Sequence, residues 1–346
     1  MQAHFHSRYQ TFEPLLPEER AQDLVRLCED FGSYGLYSAE GLNAGIGEGL
    51  PQRFDAAFHF IRSGGRFGRS REDLQTLAAR TNYFRETYAY GNEIAAAGIE
   101  VLYQNENLKE AAGKIFDLPI VEPAIVYANL LLPGQELAIH TDVPEFRGMN
   151  RKIHPEWLLV VMHHSGLFDR WRMPIATAIS WYQDAHGGAF AFYPEGADAA
   201  AQAHPVHFNT AILIDSDSIF HGVDRVDELQ GPMPLFRDGM RLHPQGGGRW
   251  SVRAGEEEVG SYLWEEMRFS ISWKAYCFED EAASLRWREH REDLSLEGVL
   301  ESLCEDLRAR GRLRTERPSN RELAELLVDE YIHFPPIEPD SESVVG

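Results

Sequence analysis

Cysteine is scarce in this chain of 346 residues: Cys28, Cys277 and Cys304 are the only three. None stands in a paired spacing, which argues against a disulfide framework or a zinc ribbon. A reducing compartment, and so a cytoplasmic location, is the expectation. Positive charge is also in short supply, with 33 Lys and Arg against 55 Asp and Glu and a formal net charge of −22. So acidic a surface repels phosphate backbones and anionic lipids, so neither nucleic acid nor membrane is expected as a partner. No apolar run approaches the length of a bilayer span. The opening Met1-Gln2-Ala3-His4-Phe5-His6 lacks the basic-then-apolar pattern of a secretory leader. Internal repeats are missing too. The glycines of Gly45-Ile46-Gly47-Glu48-Gly49 have neither the preceding strand nor the spacing of a dinucleotide loop.

What is present begins with His140-Thr141-Asp142, answered far downstream by His221 in Ile219-Phe220-His221-Gly222-Val223. Two imidazoles and one carboxylate can hold one face of an octahedral metal and leave the other open, the ligand set expected for non-haem Fe(II) oxygen chemistry. The neighbouring sequence reads as strands. Tyr127 to Leu132 and Glu136 to His140 are joined at Pro133-Gly134, which suits the two central positions of a type II turn. His140 and Asp142 are two apart, so an extended backbone points both to one face. Gly187-Gly188 opens a short strand through Phe192, and Thr210 to Asp215 reads as a buried strand. In Met267 to Tyr276, Arg268, Ser270 and Ser272 alternate with Phe269, Ile271 and Trp273.

These pieces, in this order, resemble the catalytic core of the Fe(II)/2-oxoglutarate-dependent oxygenases, in their prolyl-hydroxylase-like branch. They are a tyrosine-bearing strand, a proline-glycine turn, H-x-D, a double glycine, a histidine followed by Gly-Val, and R-x-S (Arg268, Ser270). The resemblance implies a mainly β fold with flanking helices around a double-stranded β-helix, a jelly-roll, cupin-like core. It implies Fe(II) on His140, Asp142 and His221, with 2-oxoglutarate and O2 as cosubstrates. Arg268 is then expected to bind the distal carboxylate of 2-oxoglutarate with Ser270 beside it. Tyr127 and Asn129, two apart on their strand, are candidates for the same cosubstrate or for a hydrogen-bonded core. One departure stands out. The arginine comes 47 positions after His221, far later than the family's usual spacing. Arg225, at an even spacing from His221 and therefore expected near the metal, is the alternative.

Three regions are expected: a helical region over 1–120, a catalytic core over 121–278 with an insertion at about 227–262, and a helical region over 279–346. The first includes helices over 17–31, from a capping box at Ser70 and Asp73 through Thr81 and stopping near Gly91, and over 107–116. The last includes helices over 280–292, 296–310 and 319–331. The insertion carries Pro232-Met233-Pro234, Gly246-Gly247-Gly248 and Glu256-Glu257-Glu258, a composition that predicts a mobile cover over the pocket. Trp157 to Met162 reads as a strand ending at His163-His164. The loop after the ligand pair offers Arg147, Arg151 and Lys152, which would suit a carboxylate-bearing substrate or simply be solvated. Trp181 and Trp273 would serve either as pocket wall or as core. The reading that unites these residues is an oxygenase acting on a C–H bond of a small, amino-acid-like metabolite, with release of succinate and CO2. An iron oxidase of the same fold without 2-oxoglutarate is the first alternative, and a non-catalytic jelly-roll binding protein the second.

Overall fold

The computed structural model describes residues 9–37, 45–68, 74–226, 234–314 and 318–338. The Ser70–Asp73 capping box, Pro232-Met233 and the opening Met1–His6 lie outside them. In the first third of the chain come β1 (Tyr9–Phe12), α1 (Glu18–Phe31), β2 (Tyr34–Leu36), α2 (Phe54–Ser63), α3 (Leu74–Thr81), β3 (Phe84–Tyr90), β4 (Glu93–Ile94), α4 (Glu100–Tyr103) and α5 (Glu106–Phe116). The middle holds β5 (Ile120–Leu131), β6 (Leu137–His140), β7 (Glu145–Phe146), α6 (Glu156–Ser165), β8 (Arg172–Met173), β9 (Ile175–Trp181), β10 (Phe190–Phe192), β11 (Gln202–His204), β12 (Thr210–Ile214) and β13 (His221–Val223). The remainder is β14 (Arg241–Gly246), β15 (Arg249–Ala254), β16 (Glu257–Leu263), β17 (Arg268–Phe278), α7 (Glu281–Arg288), α8 (Leu296–Ala309) and α9 (Asn320–Tyr331).

Two antiparallel sheets face each other. The larger runs β1-β12-β9-β17-β5-β3-β2-β14-β15-β16, and the smaller runs β11-β10-β13-β6. Along the chain the core strands switch between them: β5 large, β6 small, β9 large, β10 small, β12 large, β13 small, β17 large. That alternation is a double-stranded β-helix, the jelly roll expected from the sequence. Period-two patterning decides which side chains enter it. On β17, Phe269, Ile271 and Trp273 join the apolar cluster outside the larger sheet, together with Val126, Ala128 and Leu130 of β5 and Leu24 and Cys28 of α1. Arg268, Ser270, Ser272, Tyr127 and Asn129 fall on the opposite, inner face, where they line a cavity. Ile179, Trp181, Phe190, Phe192, Ile212 and Ile214 fill the remainder of the interior. The turn at Pro133-Gly134 forms as read: the Gln135 N–H donates to the Leu132 carbonyl at 3.0 Å, and Gly134 has φ of 81°.

Several elements depart from the sequence reading. Trp157 to Met162 is helix α6, not a strand. A continuous apolar run looks the same in a buried strand and in a helix buried all round, and every residue from Glu156 to Met162 is buried. Pro155 starts that helix and Gly166 ends it in a left-handed conformation. α6 packs with α8 and α9 in a second apolar cluster that also holds Ile139 and Phe220, so helices cover the outer face of the smaller sheet. α3 stops at Thr81, well short of Gly91, because Phe84–Tyr90 pairs with β5 as β3. The stretch before β5 is therefore not helical alone, since β1, β2 and β3 extend the larger sheet.

The described part of the insertion is also a correction. Residues 241–263 form a packed three-strand meander on the edge of the larger sheet, with β14 paired to β2. Gly246-Gly247-Gly248 supplies the tight turn between β14 and β15, and each of the three has positive φ. Leu242, Trp250 and Val252 are fully buried, and Trp250 lies 6.0 Å from the Tyr34 ring and 5.8 Å from the Trp264 ring. A lid needs an element with little buried apolar surface, and this one is anchored. Trp250→Ala should cost about 3–5 kcal/mol of unfolding free energy. Urea unfolding monitored by circular dichroism measures it, and a loss below about 1 kcal/mol would show that the meander is only loosely docked.

Candidate metal centre

His140 ends β6 and His221 opens β13, and the two strands pair so that these residues stand directly opposite each other. Gly222 permits that approach, since a Cβ there would lie 2.7 Å from the Leu137 carbonyl oxygen. Asp142 follows two residues after His140, its backbone N–H bonded to the Ser216 carbonyl at 2.8 Å. One donor atom from each of His140, Asp142 and His221 can be chosen so that all lie within 4.8 Å of one another. His140 Nε2 and His221 Nε2 stand 3.8 and 3.7 Å from Asp142 Oδ1.

The protonation of both rings follows from their other nitrogen. His140 Nδ1 lies 2.6 Å from the Ala138 carbonyl oxygen and His221 Nδ1 lies 2.8 Å from that of Ile219. A carbonyl only accepts, so each neutral ring carries its proton on Nδ1 and turns the Nε2 lone pair toward Asp142. Backbone acceptors behind imidazoles in this way orient metal ligands. Burial pushes the His140 imidazole down to about 3, helped by His221 and Arg53. Burial alone would raise Asp142, but the Lys274 ammonium holds it well below the usual carboxylate range. His140 and Asp142 are thus in their metal-binding forms at neutral pH. Lys274 Nζ donates to Asp142 Oδ2 at 2.6 Å, which leaves Oδ1 facing the histidines. Lys274 was not singled out from the sequence. Its signal is the period-two run Arg268, Ser270, Ser272, Lys274, which continues one step beyond R-x-S.

The triad opens onto a cavity of about 500 Å³ that Arg268, Ser270, Tyr127 and Asn129 also line. Arg268 is 2% exposed. Its Nε donates to the Gly188 carbonyl at 2.7 Å and its Nη1 to Ser270 Oγ at 3.1 Å, while Nη2 is buried and finds no partner among the described residues. Burial pushes the guanidinium down to about 9, still charged at neutral pH. Gly188 makes room for it, since a Cβ there would sit 2.7 Å from Arg268 Cδ. Asn129 Nδ2 donates to Ser272 Oγ at 3.2 Å.

Other candidates are placed elsewhere. Arg225 lines a separate cleft and pairs with Glu136 at 2.8 Å, so it does not reach the metal side as its even spacing implied. β13 ends at Val223, and the regular alternation ends with it. Arg151 does line the cavity, paired to Glu156 and bonded to the Tyr37 hydroxyl at 3.1 Å. Lys152 bonds to the Tyr90 hydroxyl at 2.5 Å in a neighbouring cavity, whereas Arg147 turns to the Arg170 carbonyl and Glu292. His164 bonds to Thr141 Oγ1 at 3.1 Å from behind the ligand strand, and His163 bonds to Ser218. Trp273 is core on the outer face of the larger sheet. Trp181 lies behind the cavity, 5.6 Å from the Arg268 guanidinium carbon.

No family model matches the chain, and no curated protein matches it. Among solved structures it is similar to a Pseudomonas putida prolyl-4-hydroxylase, with 11% identity and a TM-score of 0.37 over 79% of this chain and 94% of that one. It is similar to HygX from Streptomyces hygroscopicus, solved with nickel, 2-oxoglutarate and hygromycin B bound, with 9% identity and a TM-score of 0.38 over 78% and 83% of the two chains. A Burkholderia pseudomallei oxidoreductase of the 2OG-Fe(II) oxygenase family matches with 11% identity and a TM-score of 0.31, over 56% of this chain and 66% of that one, just under two thirds of its length. Likeness at this level transfers no residue role and no substrate to the chain.

Two outcomes are expected of the centre. His140→Ala and His221→Ala should each abolish stoichiometric Mn(II) or Fe(II) binding by calorimetry while the far-ultraviolet circular dichroism stays unchanged. Wild-type affinity in either variant would remove that residue from the site. The metal-free protein should also lose stability in acid. Burial holds His140 near 3 and His59 and His164 near 4, against about 6.5 in the unfolded chain. Below about pH 6.5 the unfolded state therefore binds more protons than the folded one. The urea midpoint should fall steadily from about pH 7 to about pH 5. A flat profile would show that these rings titrate freely in the folded state.

Proposed function

We propose that this protein is a non-haem Fe(II)/2-oxoglutarate-dependent oxygenase. It oxidises an unactivated C–H bond of a small, amino-acid-like metabolite by hydroxylation, desaturation or ring closure, and releases succinate and CO2. The observation that carries this reading is the buried guanidinium of Arg268, which no acid pairs with among the described residues, in the same cavity as the His140–Asp142–His221 triad. A buried cation without an acid is costly unless an anion completes it, and a guanidinium completes best with a planar carboxylate.

His140, Asp142 and His221 would hold Fe(II), and Arg268 with Ser270 would hold the distal carboxylate of 2-oxoglutarate. The bound metal and keto acid supply an oxidant made from O2 by oxidative decarboxylation. The chain itself supplies position. The Ala138 and Ile219 carbonyls fix the imidazole rings, Lys274 holds the second oxygen of Asp142, and Gly188 seats Arg268. Tyr127 and Asn129, on the strand beside β17, close the wall around the cosubstrate. Asp142 would complete three protein ligands where a small residue would leave room for a halide, so oxygenation is expected and halogenation is not.

The test is the affinity of the Mn(II)-loaded protein for 2-oxoglutarate, followed by succinate release on Fe(II) in air. Losing a charge-assisted pair costs on the order of 1.5–3 kcal/mol, so Arg268→Gln should weaken 2-oxoglutarate binding by about tenfold or more. Arg268→Lys should also weaken it, because an ammonium lacks the fork. Arg225→Ala should change it far less. The reverse ranking of the two arginines would overturn the assignment, and turnover of a substrate without succinate would favour the 2-oxoglutarate-independent oxidase.

A further inference from the structure

The cavity beside the triad is lined by more positive charge than Arg268 alone, in a protein whose net charge is −22. Three of these cations are answered. Arg53 pairs with Asp55 at 2.8 Å, Lys274 with Asp142 at 2.6 Å, and Arg151 with Glu156. Arg85 is different. It lies on β3, opposite Asn129 of β5, and its Nε donates to Asn129 Oδ1 at 2.9 Å. Its guanidinium carbon lies 3.9 Å from the Tyr127 ring centroid and 4.1 Å from that of Tyr37, with Tyr83 at 5.5 Å. Among the described residues, no acid pairs with it and its two Nη nitrogens have no hydrogen-bond partner.

The rings and Asn129 fix the plane of this guanidinium while its Nη edge stays open. A held fork with an open edge is the donor arrangement that a carboxylate fills with two parallel hydrogen bonds. Its place matters as much as its chemistry. Arg85, Tyr37, Tyr127 and Lys274 line the metal-side cavity and also a second, larger cavity of about 1280 Å³. That outer cavity is walled in part by Tyr90, Tyr276 and Trp287. Arg85 therefore borders both the outer cavity and the cavity that holds the triad.

Taking the oxygenase reading as given, we propose that Arg85 anchors a carboxylate of the substrate, so that the enzyme acts on small carboxylic acids whose apolar part rests in the aromatic outer cavity. Arg268 and Arg85 then divide two anions between them, the cosubstrate inside and the substrate at the cavity junction.

The probes are benzoate, phenylacetate and 3-phenylpropanoate, each against its primary amide, with phenyl phosphate as a further arm. They are titrated calorimetrically into protein loaded with Mn(II) and 2-oxoglutarate. At least one acid should bind about tenfold or more tightly than its amide, the scale of one charge-assisted pair. Arg85→Gln should abolish that preference and leave 2-oxoglutarate affinity within about threefold, which also shows that the variant is folded. Arg268→Gln should do the opposite. Acids and amides binding alike, phenyl phosphate preferred over every acid, or Arg85→Gln losing 2-oxoglutarate as Arg268→Gln does would each overturn the proposal. If 2-oxoglutarate fails to bind the wild type, the oxygenase reading falls. The acid–amide pairs on the Mn(II)-loaded protein alone then still decide the role of Arg85.

Discussion

The pairing of β13 with β6 is the contact on which the rest depends. It sets His221 across from His140, and Gly222 lets the two backbones come close enough to do so. Each histidine then finds a backbone carbonyl two residues earlier in its own chain segment, at Ala138 and Ile219. The tautomers are thereby set by main-chain geometry, independent of any side chain that could rotate away. The smaller sheet has only four strands and would be a weak support alone. α6, α8 and α9 stiffen it from outside by burying Ile139 and Phe220, the neighbours of the two ligands that point the other way.

Charge is distributed against the average. The exterior is acidic, yet the cavity wall carries Arg53, Arg85, Arg151, Arg268 and Lys274. Two of these, Arg85 and Arg268, pair with no acid among the described residues, and both are held by neutral acceptors, Asn129 and Gly188 with Ser270. Neutral acceptors orient a guanidinium without cancelling its charge. The fold thus tolerates desolvation of cations that a merely structural role would have paired.

Much of this was legible in the sequence because strands carry their facing in a simple alternation. His140 with Asp142, and Arg268 with Ser270, were found by period two and by their order along the chain. The structure brings these four, with His221, Tyr127 and Asn129, to one cavity. What was not legible depended on tertiary context. Trp157 to Met162 is apolar throughout, so no period distinguishes helix from strand. Residues 241–263 carry turn formers that read as a cover, but the same glycines make hairpins once an open sheet edge at β2 is available. Arg85 was invisible because its strand, Phe84–Tyr90, was read as the continuation of a helix. The rings that hold its guanidinium come from three separate segments. Lys274 lies one step beyond R-x-S in the same alternation, and only the pairing with Asp142 gives it meaning.

The packing of Gly188 against Arg268 has a consequence for how this protein can change over generations. Any side chain at 188 collides with the arginine stem, and the arginine needs the carbonyl of 188 as its fixed acceptor. Neither position can drift first without loss, although they are 80 residues apart in the chain. A side chain can therefore fill position 188 only once the stem of Arg268 has been shortened or moved aside.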